Sequence, residues 1–290
     1  MDYEGNPIRP PSEASSIILQ VAAGCPHNRC TFCGAYQGLK YHRKDDDIID
    51  SDLAFAARYC QRLDRVFLAD GDCLALPFAD LCKIQDKISR ALPWVRRTSL
   101  YASGRSIAGK SEAELIELKK RGYDRVYVGL ESGDDELLGR VKKGSSAAEI
   151  INGCQRLRRA GFFVSITVLL GLAGPEGSEK HAHLTGRAIS EMQPHQAAFL
   201  TLILVPGTPL YQAAQDGLFV LPSPGEMLAE LAMMIETIAP ETRLQIHANH
   251  ASNYLPLAGR LPRDRERLLG ALKAAQRGET TLKPDYLRGL

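Results

Sequence analysis

The sequence predicts an α/β fold of six successive β/α units, and three observations predict it. Short runs rich in Val, Ile, Leu, Phe and Tyr alternate with amphipathic helical stretches. The runs are apolar on both faces, as strands buried in a parallel sheet are, and such alternation implies right-handed crossovers. The cysteines and polar residues that stand out fall where these runs end, and parallel β/α folds carry their sites at those ends. Periodicity leaves open whether the sheet stays open or curls into a partial barrel.

The elements follow in order. Residues 16–22 (SIILQVA) read as the first strand, with a cysteine-rich loop after it and a helix at 50–63. A strand at 65–69 (RVFLA), a helix at 78–91 and a strand at 97–102 (RTSLYA) come next. The stretch 111–121 (SEAELIELKKR) opens on Ser and Glu, closes on basic residues and runs into Gly122, the marks of a capped helix. Strands at 125–130, 163–170 and 196–204, with helices at 147–160 and 178–192, complete the six units. Beyond about residue 215, prolines at 222, 224, 240, 256 and 262 interrupt helical stretches at 225–238 and 263–277. The expected organisation is a core over 14–215 and a mostly helical C-terminal extension over 216–290 that packs on it.

The 290 residues carry a net charge of +2 and no long run of Lys or Arg, which gives no sign of a nucleic-acid or membrane-surface partner. The opening MDYEGNPIRPPSEASS lacks the basic and then apolar pattern of a signal peptide, and the apolar run 162–172 is too short to span a bilayer. A cytoplasmic location is expected. In a reducing compartment seven cysteines do not make a disulfide framework. Cys60, Cys73, Cys82 and Cys154 are scattered and read as small buried hydrophobes.

The other three cysteines, Cys25, Cys30 and Cys33, fall within nine residues after the first strand. A closed structural zinc or an electron-transfer cluster takes four protein ligands, so three thiolates leave one metal corner open. On these residues alone a zinc site completed by His27 stays open. At the second strand end, Ala69-Asp70-Gly71-Asp72 offers close backbone approach at Gly71 and a carboxylate suited to an ammonium at Asp72. Ser103 and Ser106 follow the third strand and suit either a polar ligand or a helix cap. The fourth strand ends in Gly129-Leu130-Glu131-Ser132-Gly133-Asp134, with Lys142-Lys143-Gly144 beyond it. The fifth ends in Gly171-Leu172-Ala173-Gly174-Pro175-Glu176 and the sixth runs into Val205-Pro206-Gly207-Thr208-Pro209-Leu210-Tyr211. His247, Asn249, His250 and Asn253 crowd into seven residues of the extension and form a candidate substrate site; His181 and His183 are candidates to face the same cavity.

Taken together, residues 16–212 resemble the radical SAM superfamily, specifically its coproporphyrinogen-oxidase, methylthiotransferase and Elongator-subunit branches. The family's C-x3-C-x2-C loop appears here as C-x4-C-x2-C, and Phe32 matches its aromatic residue before the last cysteine. The resemblance implies a (β/α)6 partial TIM barrel, and a [4Fe–4S] cluster on Cys25, Cys30 and Cys33 whose fourth iron is chelated by S-adenosylmethionine. It assigns Gly71 and Asp72 to the methionine amino group, Glu131 to the ribose hydroxyls, Lys143 to the methionine carboxylate and Gly171 to the adenine; Ser103, a cofactor-site candidate on its own chemistry, suits a ribose or a substrate carboxylate. It implies reductive cleavage of S-adenosylmethionine to methionine and a 5′-deoxyadenosyl radical that abstracts hydrogen from a small-molecule substrate, with flavodoxin or ferredoxin as reductant. No catalytic residue of the chain is assigned. The competing reading is a haem- or cofactor-binding chaperone on the same fold, with His247, His250 or His181 as haem ligands.

Overall fold

The computed structural model describes residues 1–289. The chain forms two compact units, one from residues 1–28, 35–128 and 156–164, the other from 29–34, 129–155 and 165 onward. Cys25 thus belongs to the first unit, and Cys30 and Cys33 to the second.

In the first unit, β1 (Ile17–Leu19), a two-stranded hairpin of β2 (Ala22–Ala23) and β3 (His42–Arg43), and α1 (Asp46–Tyr59) come first. They are followed by β4 (Arg65–Leu68), α2 (Phe78–Ala91), β5 (Arg97–Ala102), α3 (Gly104–Ala108) and α4 (Glu112–Arg121), and then by β6 (Tyr123–Glu131), whose last three residues lie in the second unit. β4 pairs in parallel with β1 and β5, and β5 with β6. Val66, Phe67 and Leu68 are fully buried, which is why these strands read as unbroken apolar runs. α4 is capped as its sequence demands. Ser111 Oγ accepts the Glu114 N–H, the Glu114 carboxylate accepts the Ser111 N–H at 2.7 Å, and Gly122 ends the helix at φ +116°. α1 starts at Asp46, four residues before the expected 50, because Asp46 and Asp47 favour the positive end of the helix dipole.

The second unit holds α5 (Asp135–Arg140), most of α6 (Ala147–Arg159) and of β7 (Phe163–Leu170), then α7 (Gly174–Met192), β8 (Gln196–Thr201) and α8 (Pro209–Gln215). It ends with α9 (Pro224–Thr237), β9 (Leu244–Ala248), β10 (Leu257–Leu261) and α10 (Arg265–Gln276). β8 lies parallel to β7 and to β9, and β10 returns antiparallel to β9. The extension therefore contributes two strands besides its helices, and the expected strand at 196–204 stops at Thr201. α7 begins at Gly174, four residues early, with Pro175 in its first turn.

Among the described residues no helix is long and apolar enough to cross a membrane, and no disulfide joins the seven cysteines. Cys73 and Cys154 are buried as expected, Cys60 and Cys82 only half-buried, contrary to that expectation, and burial pushes the Cys154 thiol up to about 12.

Candidate cofactor site

In the first unit the chain after β2 reaches Gly24, whose left-handed backbone (φ +80°) turns it into the cysteine loop. The Gly24 N–H donates to Asp70 Oδ2 at 3.2 Å, and the Gly71 N–H donates back to the Gly24 carbonyl at 3.1 Å. A Cβ on Gly71 would stand 2.5 Å from the Cys25 Cβ, so the close approach foreseen at Gly71 is to the first cysteine itself. Asp70 takes a left-handed conformation (φ +76°) and accepts from Gln20 Nε2 at 2.6 Å. Its backbone role passed unnoticed in the sequence, although Asp is among the few residues that tolerate that conformation.

Asp72 is buried, and burial pushes its carboxyl up, against the hydrogen bonds from Ser103 and Ser106. Its Oδ2 accepts the Ser103 hydroxyl at 2.6 Å, whereas its Oδ1 has no partner. Ser103 also caps α3 in a reciprocal box with Ser106, so the cap and the polar site are one arrangement. In the loop, Asn28 adopts φ +40° and donates to the Tyr36 carbonyl at 2.9 Å, which ties the spacer after Cys25 to the chain beyond Cys33. Arg105 points its guanidinium at His27 Nδ1, 3.5 Å away, a neighbour that does not favour a fourth zinc ligand there.

In the second unit the other half of the loop is pinned at both ends. The Thr31 N–H donates to the Val141 carbonyl at 3.0 Å, and the Thr31 carbonyl accepts the Leu210 N–H at 2.9 Å. The Val205–Tyr211 segment thereby acquires a structural reason: it holds the cysteine loop. Phe32 packs on an apolar cluster of Leu137, Val141, Leu172, Leu202 and Leu210. Lys143 Nζ donates to Glu131 Oε1 at 2.8 Å, and both side chains are nearly buried. Burial pulls the Lys143 ammonium down, but Glu131 and the Cys30 and Cys33 thiols outweigh it and hold its pKa above the usual value. Gly129 makes the pair possible, since a Cβ there would lie 2.3 Å from Glu131 Oε1 and 2.6 Å from Lys143 Nζ.

Gly171 (φ +83°) ends β7 with its N–H donating to Glu230 Oε1 at 2.7 Å, and a Cβ there would meet Met227. Glu230 also accepts the Ser178 hydroxyl at 2.5 Å. His181 is fully buried, not open to a cavity. Its Nε2 donates to the Leu169 carbonyl at 3.2 Å and its Nδ1 accepts the Ser132 hydroxyl at 2.7 Å. Burial lowers its pKa to about 4 and raises that of Glu230 to about 7. Sequence reasoning missed Glu230. The signal was a single acid at 230 among Met227, Leu231 and Met234, the spacing of one buried helix face.

The extension's polar residues are less united than their spacing implied. His247 is half-buried on β9, Asn249 is exposed beyond the strand end, and His250 accepts at Nδ1 from the Ser252 N–H and lies 2.9 Å from its hydroxyl. Asn253 is committed to β8: its Oδ1 accepts from the Thr201 N–H and hydroxyl, and its Nδ2 donates to the Phe199 carbonyl at 2.8 Å. His183 is exposed and meets Thr237 Oγ1 at 2.9 Å. Among the described residues no three His, Cys, Asp or Glu side chains gather about one point as ligands of a single metal ion would.

A profile described as the radical SAM superfamily matches residues 19–184. The chain is 27% identical over 190 residues to the heme chaperone HemW of Bacillus subtilis, covering 65% of this chain and 48% of that protein. It is 28% identical over 155 residues to the threonylcarbamoyladenosine tRNA methylthiotransferase MtaB of Rickettsia prowazekii, covering 50% of this chain and 35% of that one. The chain thus spans half or less of the curated relatives it matches. Coproporphyrinogen III oxidase (HemN) of Escherichia coli superposes with a TM-score of 0.56 at 17% identity, over 76% of this chain and 51% of that one. That likeness shows the fold, an α/β partial TIM barrel, as expected. The family's cofactors are a [4Fe–4S] cluster and S-adenosylmethionine. With more than half of its residues matched, the chain belongs to the radical SAM superfamily.

Proposed function

We propose that this chain is a radical SAM enzyme that holds a [4Fe–4S] cluster through Cys25, Cys30 and Cys33. It cleaves S-adenosylmethionine to methionine and a 5′-deoxyadenosyl radical, which takes a hydrogen atom from an unidentified small-molecule substrate. When bound, the cluster supplies the single electron that breaks the sulfur–carbon bond, drawn in turn from flavodoxin or ferredoxin.

The observation that carries the reading is the way the structure builds the cysteine loop. Gly71 leaves no room for a Cβ beside Cys25, and the Cys30–Cys33 half is stapled to Val141 and Leu210 with Phe32 on an apolar bed. A cluster takes one thiolate at each of three irons, so its ligands need not converge on one point as those of a zinc ion do.

The remaining residues fit the cofactor. The unpartnered Asp72 Oδ1 is a buried acceptor lacking a donor, and an ammonium would supply one. Lys143 and Glu131 neutralise each other; a carboxylate and a ribose diol would divide that pair without leaving either charge buried and alone. Phe32 and the leucines behind it exclude water. Ser103 holds Asp72 in place, and the turn at Gly171, whose N–H is held by Glu230, would lie beside the adenine. Residues 14–215 would form the catalytic core, with 216–290 bracing it, in the cytoplasm.

A second reading is favoured by the similarity to HemW, a heme chaperone. His247 and His250 are the half-buried candidates for haem, and burial lowers the His250 pKa, keeping it neutral as ligation requires. One pair of assays separates the two. Anaerobically reconstituted protein with dithionite and S-adenosylmethionine should release 5′-deoxyadenosine. Iron bound without any 5′-deoxyadenosine, together with a Soret shift on haem titration that is lost in His250→Ala, would favour the chaperone.

A further inference from the structure

Glu230 lies on α9, in the C-terminal extension and beyond the residues the family profile matches. An acid with no exposed surface on an apolar helix face is costly unless its oxygens are satisfied. Both are: one accepts the Gly171 N–H at 2.7 Å, the other the Ser178 hydroxyl at 2.5 Å.

The arrangement continues beyond those bonds. His181 Nε2 sits 3.6 Å from Glu230 Oε1 while donating to Leu169 near the end of β7. Its Nδ1 accepts from Ser132, and Ser132 Oγ in turn accepts the Asp134 N–H at 2.9 Å. Thr185, one turn along α7, accepts the Gly133 N–H at 2.9 Å. The network therefore ties together the turn after β6, where Glu131 holds a left-handed backbone at φ +61°, and the turn at the end of β7, where Gly171 does so at φ +83°. Glu131, the last residue of β6, is not a glycine, and a left-handed non-glycine residue persists only where its surroundings enforce it.

Resting on the function proposed above, we infer that Glu230, acting through His181, Ser178 and Gly171, is a positioning residue for the nucleoside half of S-adenosylmethionine. It touches no reacting atom. It sets the two turns against which the ribose and the adenine would rest, so the extension completes the cofactor site from behind.

The test measures binding of S-adenosylhomocysteine, by calorimetry, to the cluster-reconstituted, unreduced full chain. Glu230→Ala should weaken binding at least tenfold with iron content unchanged, and should speed hydrogen exchange in peptides covering both 130–134 and 170–173. Ser178→Ala, which removes one hydroxyl and leaves the rest of the network, should weaken binding about threefold and keeps the test open if Glu230→Ala folds poorly. Leu231→Ala, buried one residue along the same helix, should stay within twofold of wild type. Wild-type binding matched within twofold by Glu230→Ala and Ser178→Ala overturns this inference alone, as does an equal loss in Leu231→Ala. A wild-type chain that retains its iron and binds no S-adenosylhomocysteine overturns the proposed function, and this inference with it.

Discussion

Replacing Glu230 with glutamine removes one member of a buried pair whose two groups respond to pH in opposite directions. Burial raises the Glu230 carboxyl from 4.5 to about 7. Between those limits the folded chain keeps a proton that the unfolded chain releases, so stability is full below 4.5 and is lost as pH rises to 7. At about 1.4 kcal/mol per pH unit the loss amounts to about 3 kcal/mol. His181 behaves in reverse. Burial lowers it from 6.5 to about 4, the unfolded chain holds the proton over that window, and stability is lost as pH falls through it, again by about 3 kcal/mol. In the wild type the two slopes offset each other where the windows overlap. Urea unfolding followed by circular dichroism, with variant and wild type compared at each pH, cancels every other titrating group. Glu230→Gln should gain on wild type by about 3 kcal/mol as pH rises from about 4.5 to 7.5, and His181→Gln should lose about as much on wild type as pH rises from about 4 to 6.5. Curves that stay parallel to wild type across these windows would refute the opposed titration.

Three further outcomes follow from the cysteine loop and its neighbours. Gly71→Ala places a Cβ 2.5 Å from the Cys25 Cβ and should cut iron incorporation severalfold while far-UV dichroism is unchanged; iron per chain is the measurement. Asp72→Asn can keep its contact to Ser103 but loses the charge, so S-adenosylmethionine affinity should fall by about 10- to 100-fold, the worth of a hydrogen bond to a charged group, with iron content intact. Phe32→Ala removes the ring from the Leu137–Leu210 apolar cluster and should shorten the lifetime of the cluster's visible absorbance in air.

Much of the fold was legible because local chemistry and tertiary demand agree. The Ser111–Glu114 box and Gly122 mark α4 in the sequence and do so again in the structure, and β5 and β7 fall at 97–102 and 163–170 as read. β9 and β10 escaped notice because each is five residues long and carries polar side chains between its buried positions, among them the half-buried His247 and the exposed Arg260. Of the apparent polar constellation at 247–254 only His247 is a polar residue of β9; the other polar members lie between β9 and β10. Its members look gathered in sequence, yet Asn253 is spent on β8 and Asn249 faces solvent, a distinction only pairing partners reveal. Gly71 was legible as a place of close approach, but not that the approach is to Cys25. Glu230 went unread although it is an acid on an apolar helix face, and its partners Gly171 and Ser178 lie more than fifty residues away in the chain.

The central claim is that this cysteine loop serves reductive cleavage of S-adenosylmethionine. The most direct measurement is product analysis of the anaerobically reconstituted chain under dithionite, with 5′-deoxyadenosine and methionine quantified together. The account predicts both products in equal amounts, absent from Cys25→Ala, Cys30→Ala and Cys33→Ala. Full iron loading of the wild type with neither product formed would contradict it.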